Sequence, residues 1–542
     1  MLRISNLSLP LRHTEAELRE VVLAKLGVAE VDLLGLAIFR RSIDARKRGR
    51  VQLVYSLDVT LPESVEESLL GQFPKSPDSE YRLVVPVATD FPRPGELRPV
   101  VVGFGPCGMM AALQLAQQGL KPLVIERGPE VRQRTQDTWD LWRNGHLHPE
   151  ANVQFGEGGA GTFSDGKLYS QVRDPEHLGR KVLQEFVKAG APEEILYINK
   201  PHIGTFRLVT MVESIRATIL ALGGEIRFDT KLASVKTAAG QVTGITLASG
   251  EEIPTRHLVL AVGHSARDTF CSLRDAGIYM EAKPFSIGFR IEHPQSLIDQ
   301  ARYGADAGHP LLGAADYKLV HHGKNGRSVY SFCMCPGGTV VAAASEPGGL
   351  VTNGMSQYSR NERNANAALV VGIDPERDYP GDLLAGIELQ RALEQKAFVL
   401  GGSNYHAPVQ RLGDFLAGRP STALGSVTPS YTPGVTPTDL STLLPPYATD
   451  AIREAIPAFA RTIRGFDLPD AVLTGVETRT SSPISIKRDP QSLQSINTAG
   501  LFPAGEGAGY AGGILSAGID GIRVAEAVAR SLCDTIKRPI SP

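Results

Sequence analysis

The chain has 542 residues, of which 42% are hydrophobic and 21% are charged, and its formal net charge is −2. This length exceeds what one hydrophobic core supports, so we predict two to four domains, and the small net charge argues against a general affinity for nucleic acid or acidic membranes. Five scattered cysteines without a disulfide framework, and the lack of a long apolar run or a signal peptide, predict a cytoplasmic protein that contacts no membrane.

The first ninety residues carry the pattern of a small α+β unit. The segment TEAELREVVLAKLGV, residues 14–28, predicts an amphipathic helix capped by Thr14, and strand-like runs lie on both sides of it. We therefore expect a ferredoxin-like α+β domain over residues 1–90. The proline-rich stretch 91–99 then predicts a linker.

A basic cluster lies within this unit. Six basic residues between Arg40 and Arg50 accompany one acid, Asp44. One hypothesis is a patch for nucleic acid or phosphate. The alternative is a solvated hairpin, or a basic face docked on the rest of the protein. The second interpretation is favoured because residues 1–90 contain 12 Lys and Arg against 13 Asp and Glu, so nucleic acid is not an expected partner.

The strongest motif occupies residues 97–128. It contains a short β-branched strand, three glycines in the G-x-G-x-x-G spacing, a helix, and a second strand that ends in an acid. In a dinucleotide-binding unit, the glycines allow a tight turn, close approach of a pyrophosphate and helix–strand packing, while the helix N-terminus attracts phosphates and the acid accepts hydrogen bonds from a ribose. The residues in these positions are Gly103, Gly105, Gly108 and Glu126.

A second glycine-rich segment suits the same kind of ligand. Residues 153–168, VQFGEGGAGTFSDGKL, contain Gly159 and Gly161 among other glycines. Glycines permit close backbone approach, and consecutive amides can form an anion-binding nest. The alternative interpretation is a flexible surface loop.

Two later segments distinguish between dinucleotides. Residues 252–269 form an apolar strand that ends at Gly263, and residues 496–530 form a strand that ends in Gly505 and Glu506, then a glycine turn and a long helix. Together with the first motif, they resemble the three FAD-binding segments of the glutathione-reductase-type flavoproteins. The resemblance implies FAD rather than NAD as the bound dinucleotide.

The resemblance also implies roles for particular residues. Val262 stands where that superfamily usually has Thr, and Glu506 stands where it usually has Asp, so the ribityl contact is either direct or through water. Residues 229–253 correspond to a small strand meander in which Val235 offers its backbone to the adenine. The helix that begins near Gly512 directs its N-terminus at the flavin ring.

Residues 281–480 lie where this superfamily inserts a substrate domain, and they contain Cys333 and Cys335 in SFCMCPGG. Without a second thiol pair, these cysteines fall short of a zinc site, so we expect no metal. They are either a labile redox pair or residues that pack a turn near the flavin. The sequence lacks the familiar Cys-x-x-Cys after the first FAD segment, which argues against a disulfide-reductase mechanism.

Two other residues are candidates without an assigned role. His264 follows the middle segment and is either a general acid or base, or a structural residue that caps the next helix. Arg479 either anchors an anionic substrate or pairs with Glu477 or another buried acid. The sequence therefore identifies no catalytic residue.

The whole chain resembles a bacterial family of uncharacterised FAD-dependent dehydrogenases. The segments that carry this likeness are RRSIDARK (40–47), GFGPCGM (103–109), GEGGAGTFSDGKL (156–168), GHSARDT (263–269), CMCPGG (333–338), SRNERNAN (359–366), ETRTSSP (477–483) and GEGAGYAGGI (505–514). We therefore predict an α/β protein with a three-layer, Rossmann-like FAD-binding domain, an inserted α+β substrate domain and the N-terminal ferredoxin-like α+β domain. The predicted divisions are 1–90, the linker 91–99, 100–280, 281–480 and 481–542.

The predicted function is an FAD-dependent oxidoreductase that transfers a hydride through flavin N5 to or from a small-molecule substrate, with NAD(P)H as a possible electron donor. The alternative is a non-catalytic or redox-sensing flavoprotein whose N-terminal domain binds a partner or nucleic acid. The predicted cofactor-binding residues are Gly103, Gly105, Pro106, Gly108, Glu126, Arg127, Gly159, Gly161, Val235, Gly263, Gly505, Glu506, Gly513 and Ile514.

Overall fold

The computed structural model describes residues 1–46, 50–77, 80–170 and 172–537, without the side chains of 534–537. Lys47 and Arg48 of the basic cluster, and the last five residues of the predicted segment 481–542, lie outside the described residues. Within the described part of the chain, no helix is both long and apolar enough to cross a membrane.

The N-terminal region is a three-stranded antiparallel sheet with two helices. Its elements are β1 (Leu2–Pro10), α1 (Glu15–Leu26), β2 (Gly35–Asp44), β3 (Gln52–Thr60) and α2 (Glu63–Leu69), and the strand order is β1-β3-β2. The predicted cap of α1 is confirmed, because the Thr14 hydroxyl accepts a hydrogen bond of 3.2 Å from the Glu17 amide. Beside β1, the described residues show a single bridge between Leu2 and Lys75 where a ferredoxin-like fold has a fourth strand, so that assignment stays a prediction.

The basic cluster on β2 contacts the body of the protein. The Arg41 amide donates a hydrogen bond of 2.7 Å to the Tyr197 carbonyl, and the Arg40 guanidinium donates to the Asn199 side chain. Arg46 instead forms an exposed ion pair with its neighbour Asp44. These contacts favour the docked basic face over a free patch for nucleic acid.

Residues 100–282 contain most of the predicted FAD-binding domain. Its elements are β4 (Val100–Val102), α3 (Pro106–Gln117), β5 (Leu123–Ile125), α4 (Val131–Asn144), α5 (Leu178–Lys188), α6 (Thr205–Ala221), β6 (Glu225–Arg227), β7 (Leu232–Ala238), β8 (Gln241–Leu247), β9 (Glu252–Pro254), β10 (Leu258–Leu260), α7 (Arg267–Asp275) and β11 (Met280–Ala282). Strands β7, β8 and β9 form the antiparallel meander that the sequence predicts, with its turn at Gly240.

The inserted region is built on a seven-stranded sheet. Its elements are β12 (Phe285–Pro294), α8 (Gln295–Tyr303), β13 (Val320–His322), β14 (Ser328–Cys335), β15 (Gly338–Ala342), β16 (Thr352–Ser356), β17 (Asn364–Ile373), α9 (Pro375–Asp378), α10 (Ala385–Leu400), β18 (Ala407–Arg411), α11 (Leu412–Leu416), β19 (Val435–Pro437), α12 (Pro446–Thr462) and β20 (Val472–Glu477). The strand order is β13-β14-β17-β12-β20-β18-β19, and every pairing is antiparallel except that of β18 with β19.

The chain then returns to the first unit through β21 (Ile484–Ile486), β22 (Leu501–Pro503) and α13 (Ile514–Lys537). The strand order β22-β10-β4-β5-β6 makes a five-stranded parallel sheet. Because successive side chains of a strand point to opposite faces, Val101 packs with helices α3 and α13, whereas Val100 and Val102 pack with the meander. Helices, parallel sheet and meander form three layers, so the α/β class and the three-layer prediction are confirmed.

Candidate active site

A large cavity lies at the carboxyl ends of strands β4, β10 and β22, which is where open parallel sheets bind their ligands. Twelve of the fourteen residues predicted to bind the cofactor line this cavity. These residues are Gly103, Gly105, Pro106, Glu126, Arg127, Gly159, Gly161, Gly263, Gly505, Glu506, Gly513 and Ile514. The structure therefore brings together three segments that are separated by hundreds of residues in the sequence.

The two glycine-rich segments approach each other at backbone distance. Gly159 has a φ of +61°, and a Cβ there would lie 2.8 Å from the Gly105 Cα. Gly108 does not line the cavity. A Cβ at that position would lie 1.9 Å from the Gly103 carbonyl oxygen, so it has the predicted role of packing helix α3 against the end of β4.

Glu126 holds three loops together at the cavity wall. One carboxylate oxygen accepts a hydrogen bond of 2.8 Å from the Phe104 amide, and the other accepts bonds of 3.1 and 3.0 Å from the Gly128 and Gly156 amides. A buried carboxylate is stabilised by several such donors, and its remaining lone pairs can still accept from a ligand hydroxyl. The predicted ribose acceptor thus also fixes the glycine loops.

Arg127 is held by acidic residues at the same end of the cavity. Its guanidinium donates to Glu150 at 2.5 Å and to Asp268 at 2.9 Å, and it lies 4.0 Å from the centre of the Phe155 ring. Burial opposes ionisation of Asp268, yet the hydrogen bond and charge of Arg127, and then Lys231, hold the pKa of this carboxyl down at about 2. This network joins the ends of β5, β7 and α7.

The meander meets the cavity at a different residue from the predicted one. Val235 is buried in the core of the meander and is not among the described residues that line the cavity. Lys231 and Leu232, at the start of β7, line it instead. The role of the Val235 backbone stays a prediction.

The third predicted segment supplies a carboxyl with an unusual pKa. Glu506 lines the cavity after β22, and burial, only partly offset by the charge of Lys283, raises the pKa of its carboxyl to about 7. The preceding Gly505 amide donates a hydrogen bond of 2.8 Å to Asp520, a residue of α13 that the sequence analysis missed. Helix α13 begins at Ile514, two residues after the predicted position, with its N-terminus at the cavity.

The inserted region forms the opposite wall with side chains. Six of its residues line the cavity, namely Phe332, Cys333, Asn353, Glu477, Arg479 and Thr480. Behind them lies Arg290, which is fully buried and donates hydrogen bonds of 3.1 Å to Glu477, 2.6 Å to Asn366 and 3.2 Å to the Cys333 carbonyl. This wall is therefore mainly polar and charged, whereas the lining from the FAD-binding region contains ten glycines beside charged side chains such as Glu126 and Arg127.

Lys167 connects the two walls. It is the penultimate residue of the glycine-rich segment 156–168, and its ammonium donates to the carbonyl of Met334, the residue between the two cysteines. Its Nζ atom also lies 3.7 Å from an Asp165 carboxylate oxygen. The sequence analysis quoted this segment for its glycines and missed its lysine, because only the fold places Lys167 beside the cysteine loop.

Arg479 and His264, for each of which the sequence left two roles open, both line the cavity. Arg479 donates to the two oxygens of Glu394 at 3.0 and 2.9 Å, so it pairs with a buried acid rather than standing free for a substrate. Burial, and then the charges of Arg479 and Arg267, lower the pKa of His264 to about 3. His264 is thus neutral at physiological pH, and the residue that precedes helix α7 is Ala266.

Glu394 is the centre of a buried ion cluster beside the cavity. Besides Arg479 it accepts a hydrogen bond of 2.8 Å from Arg267, and these two guanidinium groups overcome the effect of burial and lower the pKa of its carboxyl to about 2. Glu394 lies on α10, Arg267 on α7 and Arg479 just after β20. The cluster fixes the inserted region to the FAD-binding region at the edge of the cavity.

Comparisons with known proteins agree with this geometry. Residues 284–480 match the family model described as an FAD-dependent protein, C-terminal domain-like, and residues 1–60 match a domain of unknown function. An uncharacterized protein of Clostridium beijerinckii is 48% identical over 529 residues, which covers 97% of this chain and 98% of that protein.

The matched domain and the three-layer fold define a flavin-dependent protein, and its cofactor is FAD. Over almost its whole length, the chain belongs to one family with the Clostridium beijerinckii protein.

More distant similarity extends to solved structures. Glycine oxidase from Geobacillus kaustophilus is 11% identical with a TM-score of 0.35, over 80% of this chain and 95% of that one. The halogenase PltM is 11% identical with a TM-score of 0.37, over 81% of this chain and 70% of that one. Similarity at this level carries no information on the reaction.

Proposed function

We propose that the protein is an oxidoreductase that transfers a hydride between the N5 atom of its FAD and a small-molecule substrate. The observation that carries this proposal is the composition of the cavity. One wall contains the glycine loops at the ends of the parallel strands, and the other contains mainly polar side chains from the inserted region. The first wall suits a dinucleotide, and the second suits recognition of a substrate.

The residues of the first wall fit an FAD. We assign the predicted cofactor-binding residues to it, and the glycine backbone at 105 and 159, next to the N-terminus of α3, would lie against a pyrophosphate. Glu126 would accept from a ribose hydroxyl, and Glu506 from the ribityl chain. The N-terminus of α13 would stabilise negative charge that develops on the flavin ring. When bound, FAD supplies two-electron hydride chemistry.

The chain itself would bind and orient the substrate. Asn353 and Glu477 present hydrogen-bonding groups to the cavity from the inserted region, and Arg290 holds Glu477 in place at 3.1 Å. Burial raises the pKa of Glu477 despite the charge of Arg290. A carboxyl of this kind is a candidate to hold a proton close to the reacting atoms.

The test is a spectroscopic titration of the purified protein. We expect one extractable FAD per chain, and loss of the flavin absorbance when NADH or NADPH is added without oxygen. Protein that holds no FAD would contradict the cofactor assignment. A bound flavin that neither nicotinamide reduces, but that dithionite does reduce, would exclude NAD(P)H as the donor and leave a substrate-driven dehydrogenase or the redox-sensing alternative.

A further inference from the structure

Cys333 and Cys335 both lie on strand β14, in the wall of the cavity that the inserted region forms. In the pairing of β14 with β17, Phe332 is opposite Ala368 and Cys335 is opposite Asn366, so β14 contains one residue more than its partner. This is a β-bulge, and Cys333 lies within it with a φ of +44°. The bulge directs Cys333 to the cavity, whereas Cys335 is fully buried behind it.

The two sulfur atoms share one small environment. The Cys335 thiol donates to the Cys333 carbonyl oxygen at 3.3 Å, and both residues are free cysteines. An unstrained strand separates the side chains of residues i and i+2 by about 7 Å, and a bulge changes this spacing. The spacing of the Cys333 and Cys335 side chains therefore differs from that of residues i and i+2 on a regular strand.

Two cations flank the pair. The Lys167 ammonium donates to the Met334 carbonyl, and the buried Arg290 guanidinium donates to the Cys333 carbonyl at 3.2 Å. A hydrogen bond from Cys335, and then the charges of Lys167 and Arg290, lower the pKa of the Cys333 thiol against the effect of burial. The same hydrogen bond, followed by burial, raises the pKa of the Cys335 thiol.

The acidic groups around the pair are already engaged. Asp165 pairs with Arg360 at 2.9 Å, and Glu477 pairs with Arg290 at 3.1 Å. Cys333 and Glu506, a residue of the third FAD segment, line the same cavity. Cys333 thus has the surroundings of a nucleophilic cysteine at the flavin end of the cavity.

We propose that Cys333 and Cys335 form a redox couple that cycles between two thiols and one intramolecular disulfide, and that the substrates of the site include small disulfides or thiols. This inference rests on the proposed function and modifies it for sulfur substrates: the couple would relay electrons between the flavin and the substrate, with Cys-x-Cys in the inserted region in place of the Cys-x-x-Cys that the first FAD segment lacks. Cys333 is the sulfur that meets the substrate, and Cys335 is the sulfur that resolves the intermediate.

For a small disulfide, the proposed reaction has two thiol–disulfide exchange steps. The Cys333 thiolate attacks one sulfur of the substrate, forms a mixed disulfide and releases the first thiolate, which takes up a proton. Cys335, on losing its proton, then attacks the Cys333 sulfur, forms the Cys333–Cys335 bond and releases the second thiol. Counted from the dithiol, two electrons and two protons would have passed to the substrate, one proton lost on ionisation of Cys333 and the other from Cys335. Return to the dithiol would take two electrons and two protons, which FAD would supply when bound and reduced.

The first experiment follows the thiols directly. The full-length protein with its FAD is reduced, freed of reductant, and exposed without oxygen to bis(hydroxyethyl) disulfide, and the remaining free thiols are then alkylated and located by mass spectrometry. We expect Cys333 and Cys335 to become protected together, as one linked peptide. Both thiols remaining free, or a stable hydroxyethyl adduct on Cys333 of the unsubstituted protein, would overturn the proposal.

Variants separate the roles of the two sulfurs. Cys335→Ser is expected to trap the mixed disulfide on Cys333, and Cys333→Ser is expected to leave Cys335 unmodified. Cys271→Ser, which changes a free cysteine outside the cavity, is the matched control and should behave as the unsubstituted protein. Equal modification of Cys335 in the presence and absence of Cys333 would contradict the assigned order.

A pH profile tests the role of Lys167. Lys167→Met removes one flanking cation, so the Cys333 thiolate fraction at neutral pH should fall, and alkylation of Cys333 by iodoacetamide should slow by about tenfold for each unit of rise in its pKa. The rate at high pH, where the thiol is ionised in both proteins, should be the same. An unchanged profile would remove Lys167 from the proposal.

The last measurement couples the disulfide to the flavin. Protein with the oxidised couple and chemically reduced FAD should regain flavin absorbance while two thiols appear per flavin. Free thiols that never appear as the colour returns would overturn electron exchange. Protein without FAD would instead contradict the proposed function, and the reaction with bis(hydroxyethyl) disulfide would still report on the cysteines alone.

Discussion

The two walls of the cavity are built from different parts of the polypeptide. The FAD-binding wall uses backbone, with glycine loops and amides that converge on Glu126. The wall from the inserted region uses buried charges, of which the Arg290–Glu477 pair and the Arg479–Glu394 pair are the clearest. A backbone wall needs small residues at a few close approaches, whereas a charged wall needs every buried ion to keep its partner.

Because the two walls are built differently, substitutions in each wall are predicted to act in a different way. Substitutions at the tightly packed glycines of the first wall, such as Gly103 and Gly159, should act by adding atoms, because a Cβ there would lie within 3 Å of a backbone atom. Substitutions in the second should act by removing charge, because an unpaired buried ion is costly.

The largest effect on FAD content is expected at the close approach of the glycine loops. Gly159→Val adds a branched side chain where a Cβ already lies 2.8 Å from the Gly105 Cα, at a φ of +61°. We expect the purified protein to lose most of its FAD, with affinity weakened by about tenfold or more. The measurement is the ratio of flavin absorbance to protein absorbance.

The control for this prediction is a glycine of the inserted region that is not among the described residues lining the cavity. Gly372→Ala, on β17, meets no atom within 4 Å of its added Cβ, so FAD content should be unchanged. Retention of FAD by Gly159→Val would show that the loops are not in contact with the cofactor.

The second prediction concerns the buried charges. Glu394→Gln leaves Arg267 and Arg479 without their shared carboxylate, and the free energy of unfolding should fall by about 3 to 5 kcal/mol. Urea-induced unfolding measures this change.

A matched substitution on the same helix gives the comparison. Glu388 forms an exposed ion pair with Arg391 on α10, so Glu388→Gln should lower the free energy of unfolding by less than about 1 kcal/mol. If the two variants lose the same stability, then the buried cluster does not fix the inserted region to the rest of the protein.

The smallest predicted effect is a pH dependence of the stability, which arises from the carboxyl of Glu506 in the first wall. The pKa of Glu506 is about 7 in the folded protein, above its usual value, so the contribution of this carboxyl to stability is present at low pH and is lost as the pH rises through 7. Glu506→Gln has no such titration. The variant should become more stable than the unsubstituted protein between about pH 5 and pH 8, by on the order of 1 to 2 kcal/mol.

Urea unfolding of both proteins across this pH range checks the prediction. A stability difference that is constant with pH would show that Glu506 is ionised in the folded protein at neutral pH, and that its position in the cavity is better solvated than the surrounding residues indicate.

The sequence by itself determined the backbone wall. The spacing of Gly103, Gly105 and Gly108 after a β-branched run predicts a strand, a tight turn and a helix from neighbouring residues alone. The meander strands and the capped helix α1 followed from local patterns in the same way, whereas the three-layer architecture followed from the resemblance to FAD-binding families. Most of the predicted cofactor residues line the cavity.

The tertiary structure alone decided the charged wall. Arg479 pairs with Glu394, which is 85 residues away in the sequence. Lys167 donates to the carbonyl of Met334, between Cys333 and Cys335, which is 167 residues away. Buried ion pairs leave no periodic pattern in a sequence, because each partner can lie on any element that the fold brings close. The neutral state of His264 has the same origin, since its pKa depends on burial and on arginines from distant segments.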